Sequence, residues 1–242
     1  RMLHPVIDQV GVDTQNEVVK EEKRQRYDAP YGKLLKVLNE NLFKVHPYKD
    51  ENIGKMEHLD AATLEEFMAY HKTYYGPNNA VLIVAGDIDT EETIGLVKKY
   101  FDEVPRGNEV VRNFPKEEPI TENVRAIAYD NNIQIPMLLS SFRTPGFATR
   151  DSYVLDMIST YLSSGKSSVL YKKLVDDQKQ ALQTQVINLG QVDYNIFAIL
   201  ALPLGDVSLD TLLVEIEEEI EKVQNDLISE RDHQKLLNKF ES

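Results

Sequence analysis

The run Ala80-Val81-Leu82-Ile83-Val84-Ala85-Gly86 sets the tightest constraint on how this chain folds. It is an unbroken apolar run, which reads as a β-strand covered on both faces. A strand must hydrogen-bond to a neighbour, and one strand cannot make a sheet. Yet the rest of the first half reads as helix. The expectation is that this half is incomplete as it stands and that a segment upstream completes it.

The helices follow from apolar spacing. Residues 1–12 lack pattern and read as a connection. Gln15 to Arg26 reads as a helix capped by Asp13 or Thr14, whose short side-chain oxygens can accept a first-turn amide. A second helix is expected over Tyr31–Phe43, with Leu34, Leu35, Leu38 and Leu42 on one face. His46-Pro47-Tyr48 opens a loop that lasts to about His58. Asp60 is the expected N-cap of a third helix, with Leu59 stapled onto Leu64. That helix turns Leu64, Phe67, Met68 and His71 inward and ends at Gly76-Pro77. After the apolar run, Asp87 to Thr90 cap a fourth helix bearing Ile94, Val97, Phe101 and Val104. Residues 105–119 are polar, contain three prolines and read as a linker.

The second half has a different order. Val124–Asp130 and Ile135–Arg143 are candidate strands. Thr149–Leu162 reads as a helix with Tyr153, Val154, Met157, Ile158 and Tyr161 inward. Ser163 to Ser168 is a loop of small residues, and Val169–Asp176 a short helix. Ala181–Leu189 and Tyr194–Leu202 are strands joined at Gly190-Gln191-Val192-Asp193. Leu209, Leu212, Leu213, Ile216, Ile220, Val223 and Leu227 mark a long amphipathic helix. Ser229-Glu230-Arg231-Asp232 starts another. Neighbouring strand pairs between helices predict an α+β fold, two lobes of mainly antiparallel sheet packed against helices.

Composition removes several functions. The chain of 242 residues has 40 acidic and 27 basic side chains, a formal net charge of −13. That charge opposes a nucleic-acid or anionic-membrane partner. With no cysteine, disulfides, thiolate metal sites and cysteine nucleophiles are excluded. No apolar run approaches the roughly 20 residues of a membrane span. The five histidines, His4, His46, His58, His71 and His233, form neither H-E-x-x-H nor H-x-x-E-H. His71 reads as a core histidine and His46 as a turn residue. Ser163–Ser168 has one glycine and no G-K-[ST] end at the spacing a phosphate loop requires.

One carboxylate stands out. Gln15, Val18, Val19 and Glu22 are spaced i, i+3, i+4 and i+7, which is one helix face. Most apolar residues of that helix share it, so it is expected to turn inward, with Glu21 towards solvent. An inward Glu22 needs a partner, because an unpaired buried charge is expensive. A structural ion pair or amide contact is one reading and a functional acid the other.

Longer stretches bear a resemblance. Val18-Val19-Lys20-Glu21-Glu22, His46-Pro47-Tyr48 and the run from Tyr74-Tyr75-Gly76-Pro77-Asn78-Asn79 through Ala80–Gly86 to Asp87-Ile88-Asp89 resemble the insulinase/pitrilysin/mitochondrial-processing-peptidase family, the inverzincins. The match is closest to its bacterial two-domain members. Ser167-Ser168-Val169-Leu170-Tyr171 and Leu174-Val175-Asp176-Asp177-Gln178-Lys179 extend it into the second half. The resemblance implies a zinc metalloendopeptidase acting on peptides or small proteins. In that family H-x-x-E-H supplies two zinc ligands and a general base, and a later V-[IV]-x-E-E helix supplies the third ligand. The matching residue here is Glu22.

On this reading residues 1–117 are the C-terminal part of the first, catalytic family domain, and residues 118–242 the N-terminal part of the second. H-x-x-E-H is expected upstream. The chain alone is expected to be inactive and not to retain zinc. Gln15 stands where the family often has a second glutamate, and Val169 where it has arginine. Gln15, Ser164 and Lys166 are the candidate peptide-binding residues. The alternative is a non-catalytic member that binds peptides or partners an active subunit. A homologous partner subunit or a homo-oligomer is also expected, the two lobes packing together or exchanging between copies.

Overall fold

The computed structural model describes residue 2 and residues 5–241 and divides into two compact units, Arg1–Ala128 and Tyr129–Ser242. His4 lies outside the described residues. The fold is α+β, as the pattern of elements implies.

In the first unit α1 spans Gln9–Asp28, α2 Leu34–Leu42, α3 Met56–Ala61, α4 Leu64–Tyr74 and α5 Thr90–Phe101. The first helix starts earlier than its sequence pattern implies. Asp8 caps it by accepting the Gly11 amide at 2.7 Å, while Thr14 bonds back to the Val10 carbonyl inside the helix. The second helix starts later, after Tyr31, whose φ of 61° lies in the left-handed region. The expected third helix is two. Thr63 caps α4 through a reciprocal box with Glu66, each accepting the other's amide. Asp60 therefore lies inside α3 and caps nothing. Asp89 caps α5 by accepting the Glu92 amide at 2.8 Å.

The Ala80–Gly86 run forms no strand and is not covered. Val81 is 88 % and Ile83 81 % exposed. The physical reason is the one the run itself raised: among the described residues no neighbouring strand pairs with it. The expected inward residues of the flanking helices, Phe67, Met68, Ile94 and Phe101, are exposed as well. Val124–Asp130 likewise forms no strand, and Val124, Ile127 and Tyr129 are exposed.

Residues 105–119 do not run free. One Glu117 oxygen accepts the amides of Lys44, Val45 and His46 at 2.7–2.8 Å. Phe114 meets the His46 ring edge-on at 5.5 Å. Asn78 accepts the Gly107 amide and donates to the Asn108 carbonyl. His46 does hold a turn: its Nδ1 accepts the Tyr48 amide.

The second unit contains β1 (Leu138–Pro145), α6 (Arg150–Ser163), β2 (Ala181–Leu189), β3 (Tyr194–Pro203), α7 (Leu209–Asn225) and α8 (Glu230–Glu241). The sheet order is β1-β3-β2, antiparallel throughout. Thr149, Ser208 and Ser229 cap the three helices through amides of Ser152, Thr211 and Asp232. The register puts Val186 opposite Ile199 and Thr184 opposite Ala201, so their side chains share a face. Leu162, Leu170, Leu174, Ile199, Leu212 and Ile216 close the core, all nearly inaccessible. Each such side chain contributes about 1.5–3 kcal/mol by burial. From α6, Leu155, Ile158 and Tyr161 join this core, whereas Tyr153 and Val154 face out. The helix expected at Val169–Asp176 is present, but Tyr171–Asp177 winds as a π-helix. Leu227 lies past the end of α7 and is fully exposed.

Candidate functional site

Glu22 sits on α1, and what holds α1 decides where Glu22 points. The buried stripe is Val12, Asn16 and Lys23, with Val19, Lys20 and Tyr27 half-buried. Asn16 donates to the Leu59 carbonyl at 3.1 Å. Lys20 pairs with Asp60 and with Glu17, and the two carboxylates raise its pKa. Lys23 donates to the Gly54 carbonyl, lies 3.9 Å from Glu51, and sits over the Tyr27 ring. The Tyr27 hydroxyl donates to Glu51. Its pKa is pushed up to about 12, first by burial and then by Glu51.

This stripe corrects the expected inward face. Long lysine stems can pack against protein while their heads are paired, so Lys20 and Lys23 face in and Val18 faces out. Gln15 and Glu22 share the outward face, one heptad apart, or roughly 10 Å along the axis. The Glu22 side chain is 61 % exposed. Its partner is Arg26, itself 43 % exposed, at 3.8 Å. The structural reading of Glu22, an acid buried against an arginine or an amide, therefore does not describe it. Glu21 is also exposed but is better held. Gln25 and Arg24 bond it at 3.2 and 3.1 Å and lower its pKa.

A carboxylate oxygen suits zinc, but a zinc site takes three or four protein ligands. Among the described residues no group of three His, Asp or Glu side chains is placed to hold a metal. The described residues thus do not by themselves make a zinc site; Glu22 could supply one ligand of a larger one. His71, on α4, stacks on Tyr75 with ring centroids 4.8 Å apart.

The second candidate lies in the unit Tyr129–Ser242. Between α6 and the π-helix the chain reverses at Gly165, whose φ of 81° favours glycine. The Ser168 amide and hydroxyl both donate to the Gly165 carbonyl, and Ser163 bonds both backbone groups of Val186 on β2. This fixed loop borders a cleft of about 420 Å³, closed on its other side by α8. Ser164 and Ser167 line it, while Lys166 projects from the turn outside it. Lys235 and Lys239 reach across from α8 to the Ser167 and Ser164 hydroxyls. The sequence reading missed these lysines. Their i, i+4 spacing is visible in the sequence, but only the fold sets α8 against the loop.

Below the cleft Lys173 is enclosed by Glu215, Glu218 and Glu219 at 2.8–3.0 Å. Burial opposes its charge, yet the three carboxylates raise its pKa. Glu219 is lowered despite its burial, because Lys222 and Lys173 both bond it. The cluster ties the π-helix to α7.

Residues 61–240 match the family described as the Peptidase M16 inactive domain. The chain belongs to the M16 peptidase family. It is 30 % identical over 225 residues to the zinc protease PqqE of Helicobacter pylori, a match covering 92 % of this chain and 51 % of that protein. Among solved structures, a protease from Helicobacter pylori superposes with a TM-score of 0.85 at 27 % identity, covering 96 % of this chain and 57 % of that one. The peptidase M16 inactive domain from Pseudomonas fluorescens superposes with a TM-score of 0.80 at 13 % identity, covering all of this chain and 58 % of the other; this second likeness speaks for the fold alone. The M16 chain thus spans about half the length of its Helicobacter relative. No helix among its described residues is long and apolar enough to cross a membrane.

Proposed function

We propose that the parent protein is a zinc-dependent endopeptidase of peptides or small proteins, working by zinc-activated water, and that this chain contributes Glu22 as one zinc ligand. The observation that supports this most is the setting of Glu22. It is solvent-facing, loosely paired and rigidly presented by a helix anchored from behind, in a chain of the M16 family. Residues 1–117 are then the C-terminal part of the catalytic family domain and residues 118–242 the N-terminal part of the second. The chain alone is inactive and does not retain zinc. Gln15, one heptad from Glu22 on the same face, and Ser164 contact peptide; Lys166, outside the cleft, does so from the rim.

Metal content and peptidase rate, measured together on the full-length protein, test the assignment. Glu22→Gln should keep the fold, lose zinc and lose hydrolysis, while Glu21→Gln should do neither. Wild-type zinc stoichiometry in E22Q would end the ligand assignment.

A second reading has its own support. Gln15 cannot take a proton, and Val169 removes an ionic contact that the family's arginine would make. A non-catalytic member that binds peptide or partners an active subunit fits those two residues. It predicts a full-length protein that binds peptide without cleaving it at any zinc concentration.

A further inference from the structure

We infer that Glu51 is a positioning residue: through Lys23 and Tyr27 it sets the rotation of α1 about its axis, and with it the direction in which Glu22 is presented. The consequence for zinc rests on the proposed ligand role of Glu22; the rotation itself does not. Two faces of α1 compete for the protein. The docked face carries Asn16, Lys20, Lys23 and Tyr27. The other carries Gln15, Val18, Val19 and Glu22. Neighbouring helix residues differ by about 100° of rotation, so docking through the second face would turn Glu22 inward. Burial of Val18, now 54 % exposed, favours that rotation. Something has to hold the helix against it.

The polar contacts that do so are unequal. Asn16 makes one neutral bond to the Leu59 carbonyl. Lys20 pairs with Asp60, whose side chain is 65 % exposed, and a solvated pair contributes little. Glu51 differs. Its side chain is 5 % exposed and meets two α1 side chains one turn apart: the Tyr27 hydroxyl donates to it, and Lys23 Nζ lies 3.9 Å away. This is the turn from which Glu22 and Arg26 project on the solvent side.

Without the Glu51 carboxylate, the Lys23 ammonium keeps one neutral acceptor, the Gly54 carbonyl. The Tyr27 hydroxyl keeps none among the described residues. Both regain partners by turning towards water, because a polar group left buried without a bond is costly. Turning them out turns Val18 and Glu22 in. The second Glu51 oxygen is also buried and accepts no bond among the described residues. A half-satisfied buried acid is a poor source of stability, and fixing register is the best-attested use of such a group. Here the register is rotational.

The test reads rotation directly, on this chain and without metal. The chain has no cysteine, so Val18→Cys introduces a single thiol on the outward face. A maleimide should label it at close to the rate in the urea-unfolded chain. Adding Glu51→Leu should slow labelling about tenfold as residue 18 becomes protected. Adding Glu51→Gln, which keeps an acceptor, should slow it less. Asp89→Ala removes the α5 cap, controls for mere loss of stability and should leave the rate unchanged. Circular dichroism confirms folding. Unchanged or faster labelling in folded Glu51→Leu protein, or in Glu51→Gln if the first does not fold, overturns the proposal. In the full-length protein Glu51→Gln should weaken zinc binding about tenfold, as loss of a supporting partner does, and lower kcat with KM unchanged. Saturating zinc should restore kcat there but not in E22Q. Loss of zinc in E22Q with none in Glu51→Leu also overturns the proposal. If E22Q keeps zinc, the ligand assignment ends, and the labelling experiment still decides the role of Glu51.

Discussion

The two units are stabilised by different means. The second has a dry core, with helices and three paired strands closing around Leu174, Ile199, Leu212 and Ile216. The first leaves its most apolar segment, Ala80–Gly86, facing water and docks α1 through amide, lysine and carboxylate contacts. Apolar patterning describes what a sequence can bury; whether it does so depends on the partner being present. In the second unit each strand has a neighbour within the same stretch. In the first, the strand-forming run has none among the described residues.

This contrast can be broken by truncation. Leu212→Ala should destabilise the second unit most, by about 2–5 kcal/mol, through lost transfer energy and a cavity. Urea unfolding followed by far-UV circular dichroism reads it. Lys23→Ala comes next, at about 3 kcal/mol for the first unit, because Glu51 is left buried without its cation. A loss below about 0.5 kcal/mol for Lys23→Ala would mean that the polar anchoring of α1 is incidental.

Those two substitutions also mark what the sequence could reveal. Leu212 and Ile216 were legible, because an i, i+4 stripe of aliphatic residues has one sensible direction. So were β2, β3, the hairpin joining them and the helix starts near Thr149 and Ser229. The face of α1 was not. Valines there pointed to one side and lysines to another, and the lysines won because Asp60, Glu51 and the Gly54 carbonyl meet them. No local pattern announces partners that lie across a loop. Hence Glu22, singled out by its place in a motif, was given the wrong exposure by periodicity. In the second unit Ser164 was legible as a candidate. Lys235 and Lys239 needed the fold, since about 70 residues separate them from the loop they face.

The pH response should sharpen the contrast. Glu215 and Glu219 have lowered pKa values in the folded state, held by Lys173 with Gln178 and by Lys222 with Lys173 respectively. A lowered carboxylate contributes stability above its unfolded value, and that contribution is lost as pH falls through the folded value. The second unit should therefore weaken below the ordinary glutamate value of 4.5. Lys173, raised, acts oppositely: its share is present below 10.5 and lost only above it. Tyr27 is raised from 10.0 to about 12. Its contribution to the first unit is complete below pH 10 and disappears as pH rises through about 12. Lys173→Met should flatten the acid limb of the second unit and leave the first unit's alkaline limb unchanged. Tyr27→Phe should do the reverse. If either substitution moved both limbs, the two clusters would not be independent.

The smallest effect belongs to the segment that looked most like core. Ile83 is 81 % exposed, so Ile83→Lys removes almost no burial and should change the stability of this chain by under about 0.5 kcal/mol. The same substitution in the full-length protein should cost several kcal/mol, because there the proposed upstream half supplies the neighbouring strand and the covering face. The pair of measurements isolates the missing partner from any property of residue 83. A large loss in the isolated chain would show that Ala80–Gly86 is already covered, by a second copy if the loss shrinks on dilution. Equal and negligible losses in both proteins would show that the run is never buried, and the catalytic-domain assignment of residues 1–117 would fail with it.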